Sequence, residues 1–121
     1  MGGPHRGREL ELLLAGLKPM ARFTAEPGYR PDCSAFDKHV ACGAVEHAVI
    51  VDGPVERIYY YLPGEAWRVR LAEAACRYDL GLSAEDLHRL DGFLFGYSKE
   101  DVEAFIATWL ATEREGGPQE L

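Results

Sequence analysis

AVEHAVIVDGPVERIYYYL, residues 44–62, decides the fold. Val45, His47, Val49 and Val51 alternate with Ala44, Glu46, Ala48 and Ile50, the period of a strand whose side chains point to opposite faces. Asp52-Gly53-Pro54-Val55 is turn chemistry, and Glu56–Leu62 is a second run rich in residues that favour strands. Two such runs joined by Gly-Pro predict a β-hairpin. In the second run Tyr60 shares a face with Ile58 and Leu62, whereas Tyr59 and Tyr61 share the other with Arg57.

Upstream, Met20–Glu26 alternates weakly and reads as a third strand. Before it, Leu10, Leu13, Leu14 and Leu17 fall at helical spacing, and Pro19 requires that helix to stop. Residues 27–38, PGYRPDCSAFDK, have two prolines, a glycine and no period, so they read as the longest loop. Downstream the pattern is helical three times over, at 64–79, 84–96 and 99–113. Ser83 with Asp86, and Ser98 with Asp101, have capping-box spacing and mark two helix starts. Strands grouped together and helices grouped together predict an α+β fold. Its expected form is a small antiparallel sheet with a central β-hairpin, the N-terminal helix and three C-terminal helices packed on one face. A chain of 121 residues fits one domain, with residues 1–7 and 115–121 expected to fray as tails.

Composition narrows the function classes. The chain is 47% hydrophobic and 27% charged, which suits a globular protein, and its net charge of −7 argues against nucleic-acid binding. No apolar run approaches the roughly 20 residues needed to cross a bilayer, so no membrane role is expected. The opening residues lack the apolar core of a secretory leader. Cys33, Cys42 and Cys76 cannot all pair within one chain, and the expected setting is a reducing cytoplasm.

The most suggestive local motif is Leu62-Pro63-Gly64-Glu65 at the start of the helix over 64–79. A phosphate cradle would need more glycines, and Glu65 would repel an anion while satisfying the helix dipole itself. Tyr59 and Tyr61 beside an arginine suit an interaction surface, because Tyr and Arg are enriched there; strand propensity alone also explains them. On the helix over 64–79, Trp67, Leu71, Ala74, Ala75 and Tyr78 form one apolar stripe, and Val69, Ala72 and Cys76 a second. Arg68 projects between them and needs a carboxylate, a ligand or a route to water. Asp91 sits at the edge of the apolar face of the next helix, so an Arg68–Asp91 tie is expected; His88 one turn earlier is an acid–base neighbour for Asp91.

Cys33, His39, Cys42 and His47 have the residue types of a zinc site. Their spacing lacks the close Cys pair of zinc modules, so no metal and no cofactor is expected. G-x-S-x-G, GxGxxG and Walker A patterns are absent, which leaves nucleophilic and nucleotide chemistry without a motif.

Two readings follow. The first is a non-catalytic interaction protein (inhibitor, immunity or regulatory protein) that binds another protein through the tyrosine-rich hairpin and acidic surface, with a homodimer through the hairpin edge as a further form. The second is a small-molecule-binding domain or small enzyme. Its pocket would lie between sheet and helices under the 27–38 loop, drawing on His47, Tyr59, Tyr61, Arg68 and Asp91.

Overall fold

The computed structural model describes residues 5–114. The chain runs through helix α1 (Glu9–Leu14), strand β1 (Met20–Ala25), a 3-10 turn (Ser34–Phe36), a short helix α2 (Asp37–Ala41), strands β2 (Glu46–Asp52) and β3 (Val55–Tyr61), then helices α3 (Ala66–Arg77), α4 (Ala84–Phe95) and α5 (Lys99–Arg114). The architecture is α+β, as the sequence predicts. The three strands form one antiparallel sheet in the order β1-β3-β2, with β3 central. The hairpin closes at Asp52↔Val55, so its loop is the two residues Gly53-Pro54. Gly53 has φ +60°, the positive value that a II′ hairpin turn requires at its first central position.

Register separates two layers. Ala21, Ile58 and Tyr60 face a cluster with Leu13, Phe36 and Val45. Met20 and Tyr59 face a second cluster with Val69, Ala72, Leu94 and Phe95. α3 and α4 therefore cover the Tyr59 face of the sheet. Leu13 of α1, with Phe36, packs on the opposite face, because Ala21 and Tyr60 offer apolar surface there too. α5 packs on α4 through Val102, which lies against Gly92.

Three local expectations change. Asp37 and Lys38, expected at the end of the 27–38 loop, instead open α2, which runs on to Ala41 and its C-cap Cys42; the Val45 N–H reaches back to the His39 carbonyl at 3.2 Å. α3 is less enclosed than its apolar residues suggest: Val69, Ala72 and Glu73 are buried, whereas Leu71 and Tyr78 are exposed. In the N-terminal segment expected to fray, His5 is held, stacked on Tyr97 with ring centroids 3.9 Å apart. Residues 1–4 and the tail expected over 115–121 lie outside the described residues.

The predicted caps form. Ser83 Oγ accepts from Asp86 N at 3.1 Å and Ser98 Oγ from Asp101 N at 3.0 Å. α4 ends on Gly96 at φ +82°, with Tyr97 N donating to Gly92 O at 2.9 Å, a Schellman closure. Among the described residues no helix is long and apolar enough to cross a membrane.

Candidate functional site

The hairpin tyrosines point to different places. Tyr59 is fully buried, and its hydroxyl donates to Glu73 Oε2 at 2.6 Å. It is therefore absent from any exposed patch, which corrects its expected role as a surface anchor. The reason is a hub that the sequence does not announce. Glu73 turns inward from α3 and takes Arg57 Nε at 2.7 Å and Arg57 Nη2 at 2.9 Å, a bidentate pair, with Arg77 Nε at 3.3 Å. Arg57 also reaches Asp52 at 2.9 Å. The Arg57 guanidinium holds the Glu73 carboxyl at about 2, against the opposing effect of burial. Tyr61, half-buried, packs against the cluster around Tyr59.

Arg68 and Asp91 do not meet. Arg68 pairs with Glu65 at 2.5 Å and donates to Phe93 O at 2.9 Å and Leu94 O at 3.2 Å. Its guanidinium carbon lies 4.5 Å from the Trp67 ring centroid and 5.2 Å from that of Phe93. The cation closes the C-terminal carbonyls of α4, where a positive charge is favoured by the helix dipole. Asp91 instead lies 3.7 Å from Arg22 on β1. His88 turns away from it and packs edge-on against Phe105 and Trp109. His47 is exposed on the other face of the sheet, its ring 5.7 Å from that of Tyr60.

The zinc candidates stay apart. Cys33 packs by Tyr60, where burial pushes its thiol up, and Cys42 Sγ donates to the His39 carbonyl at 3.6 Å. Among the described residues no group of three or more His, Cys, Asp or Glu side chains could hold a metal ion. A shallow depression of about 510 Å³ lies where the 27–38 loop begins, lined by Glu26, Pro27, Tyr29, Arg30, Pro54 and Glu56. None of His47, Tyr59, Tyr61, Arg68 or Asp91 lines it, so the pocket expected under that loop is not built from them.

A smaller cleft of about 110 Å³ lies between β1 and α4, lined by Glu9, Lys18, Arg22, Asp91, Phe95 and Tyr97. Lys18 is its centre and is only 2% exposed. Its Nζ donates to Phe95 O at 2.6 Å, lies 2.8 Å from His5 Nδ1 and sits 4.6 Å from the Tyr97 ring centroid. Burial, partly offset by the nearby Glu9 charge, lowers the amine to about 8. A perturbed lysine in a cleft is a site signal. Here its charge is answered from within: the last carbonyl of α4, two aromatic faces and His5 surround it. With Arg68 on the neighbouring carbonyls, Lys18 clamps the end of α4. The sequence gives no warning of this role, since Lys18 stands only as a lone cation before Pro19.

The least satisfied surface is β2. It is an edge strand, and its side chains are mostly exposed, Val49 by 46% and Val51 by 66%. The closing pair of a two-residue hairpin is hydrogen-bonded, and such pairs alternate along an antiparallel ladder. Asp52, Ile50, Ala48 and Glu46 therefore bond to β3, and His47, Val49 and Val51 turn their N–H and C=O groups to the open edge.

Comparison with protein-family models, with curated proteins and with solved structures finds no match for this chain.

Proposed function

We propose that this protein is a non-catalytic interaction module that receives an extended protein segment along the open edge of β2. One observation carries the reading: among the described residues β2 is a seven-residue edge strand with no further strand beside it. Edge strands are ordinarily protected by lysine, proline, a bulge or a covering element. Between Glu46 and Asp52 there is no lysine or proline, and Ala48-Val49-Ile50-Val51 is an unbroken apolar run. Strand addition gives affinity through main-chain hydrogen bonds and selectivity through alternate side chains. The acidic residues Glu46 and Asp52 stand at the two ends of the run and leave its centre uncharged.

The hairpin thus remains the proposed docking element, but through its edge and not through its tyrosines. Tyr59 and the Arg57–Glu73 pair fix β3, and β3 holds β2 in place for a partner. The three free thiols suit a reducing compartment such as the cytoplasm.

The test is affinity capture from the native host with three baits: the natural protein, a Val49→Lys/Val51→Lys variant and a Leu71→Lys/Tyr78→Lys variant. Both double variants charge exposed apolar positions, so both should fold. The reading expects a partner retained by the natural and α3 baits and lost from the β2 bait. A partner indifferent to the β2 charges, or lost only from the α3 bait, overturns it.

A further inference from the structure

We propose that the extended segment received by β2 is the β2 strand of a second copy of this chain, paired antiparallel about Ile50, so that two sheets join into one of six strands. The inference rests on the edge reading above and names its partner.

The register follows from symmetry and charge. Two identical edge strands related by a two-fold axis normal to the sheet pair antiparallel, and facing residues must lie on the same side of the joined sheet. Each pair then sums to twice the central residue number. The outward N–H and C=O groups belong to His47, Val49 and Val51, so these odd residues make the new hydrogen-bonded pairs. A centre at Val49 sets Glu46 opposite the partner's Asp52, twice in each dimer, and like charges directly opposed are destabilising. A centre at Ile50 removes that conflict. Val49 then faces the partner's Val51, Ile50 faces the partner's Ile50, Ala48 faces the partner's Asp52 and His47 faces the partner's Gly53. The two most exposed valines of the strand gain β-branched partners, which is the favourable cross-strand pairing.

The Ile50 register also shifts the contact toward the hairpin tip. That keeps it clear of the start of β2, where α2 leads in and the His39 carbonyl holds Val45. A centre at Ala48 would instead draw in Val45, which is already buried in the core. Only the Ile50 centre sets the exposed Val49 against the partner's exposed Val51, and it opposes no two carboxylates; Ala48 and Ile50 in the same contact are half-buried. One short strand pair is small beside interfaces that bury about 1,200 Å² or more, so a concentration-dependent monomer–dimer equilibrium is the expected form.

The experiment combines sedimentation over a range of concentrations with disulfide trapping. The three natural cysteines are replaced by serine, and Ile50→Cys or Val49→Cys is added. Across the Ile50 centre the two Cα atoms stand about 4.5 Å apart, inside the range that a disulfide spans, whereas Val49 would lie diagonal to its own copy at about 7–8 Å. The expected result is twice the monomer mass at high concentration, its loss in the Val49→Lys/Val51→Lys variant, and trapping by Ile50→Cys but not Val49→Cys. Trapping by Val49→Cys alone overturns the register. A monomer at every concentration overturns the second copy as partner. In that case a captured protein that depends on Val49 and Val51 would still leave the edge reading standing, so the two failures are distinguishable.

Discussion

Glu73 of α3 receives the hydroxyl of Tyr59 of β3 at 2.6 Å, inside a carboxylate site that already holds Arg57 in bidentate contact. This bond draws one hairpin tyrosine inward and ties the central strand to the helix beneath it. Removing one partner of a buried pair costs more than the pair contributes, because the other charge is left without an answer. Glu73→Ala should therefore destabilise by about 3 kcal/mol or more, and Tyr59→Phe by about 1–2 kcal/mol. Urea denaturation measures both. Adding Arg57→Met to Glu73→Ala should recover part of the loss, since the guanidinium, left with only the exposed Asp52 as partner, is then gone.

The same carboxylate predicts a pH dependence. Glu73 is held at about 2 in the folded chain, below the usual carboxylate value of about 4.3. Its folded value lies below its unfolded one, so the unfolded chain binds more protons in that window. The stabilisation is present above about pH 4.3 and is lost as pH falls toward 2. Denaturant titrations across that window should show the fall, and Glu73→Gln should flatten it.

His5 and Lys18 make a second case of the same sign in a higher pH window. Lys18 Nζ lies 2.8 Å from His5 Nδ1, and a charged ammonium can only donate, so His5 must be neutral to accept. Burial, and then the nearby Lys18 charge, lower the His5 value. A histidine lowered in the folded state stabilises its docked position above the unfolded value of about 6.5 and loses that position as pH falls below it. NMR titration of the ring should give a midpoint below that of a free histidine, and Lys18→Met should move it upward. Acid should also release the His5–Tyr97 stacking contact ahead of global unfolding.

Gly92 should reverse the usual helix rule. Glycine inside a helix is ordinarily less stable than alanine by about 1 kcal/mol. At Gly92 a Cβ would run into Val102 Cγ2 of α5, where the two helices meet. Gly92→Ala is expected to destabilise by about 1–3 kcal/mol, as overpacking does, and Val102→Ala in the same chain should relieve much of it. Thermal melts of the two single variants and the double variant read this directly.

The elements were legible in the sequence because their signals are local. Alternation across 44–62, the Gly53-Pro54 turn and the Ser83 and Ser98 caps each act within a few residues. The positions that fix side-chain partners are set by packing and were not. Arg68 lies between the apolar stripes of α3 and Asp91 at the edge of the apolar face of α4, yet the packing of the two helices brings the last carbonyls of α4, not Asp91, to Arg68. By helical spacing Glu73 falls in a polar strip of α3 with Arg70 and Arg77, the place of a solvated side chain. Only the placement of Arg57 on the same face of β3 as Tyr59 hinted at a buried acid to receive them. α2 leaves no such signal, because five residues between a proline-rich loop and a glycine are too few to show a period.

The central claim is that the β2 edge is open and made to be paired, and residue-resolved amide exchange tests it most directly. In dilute protein Ala48 and Ile50 should exchange slowly, bonded to β3, while His47, Val49 and Val51 exchange fast. In concentrated protein, or with a partner retained by the natural bait, the three fast amides should slow while Ala48 and Ile50 change little. Protection of His47, Val49 and Val51 already in dilute monomer, or fast exchange persisting in the bound state, would contradict it.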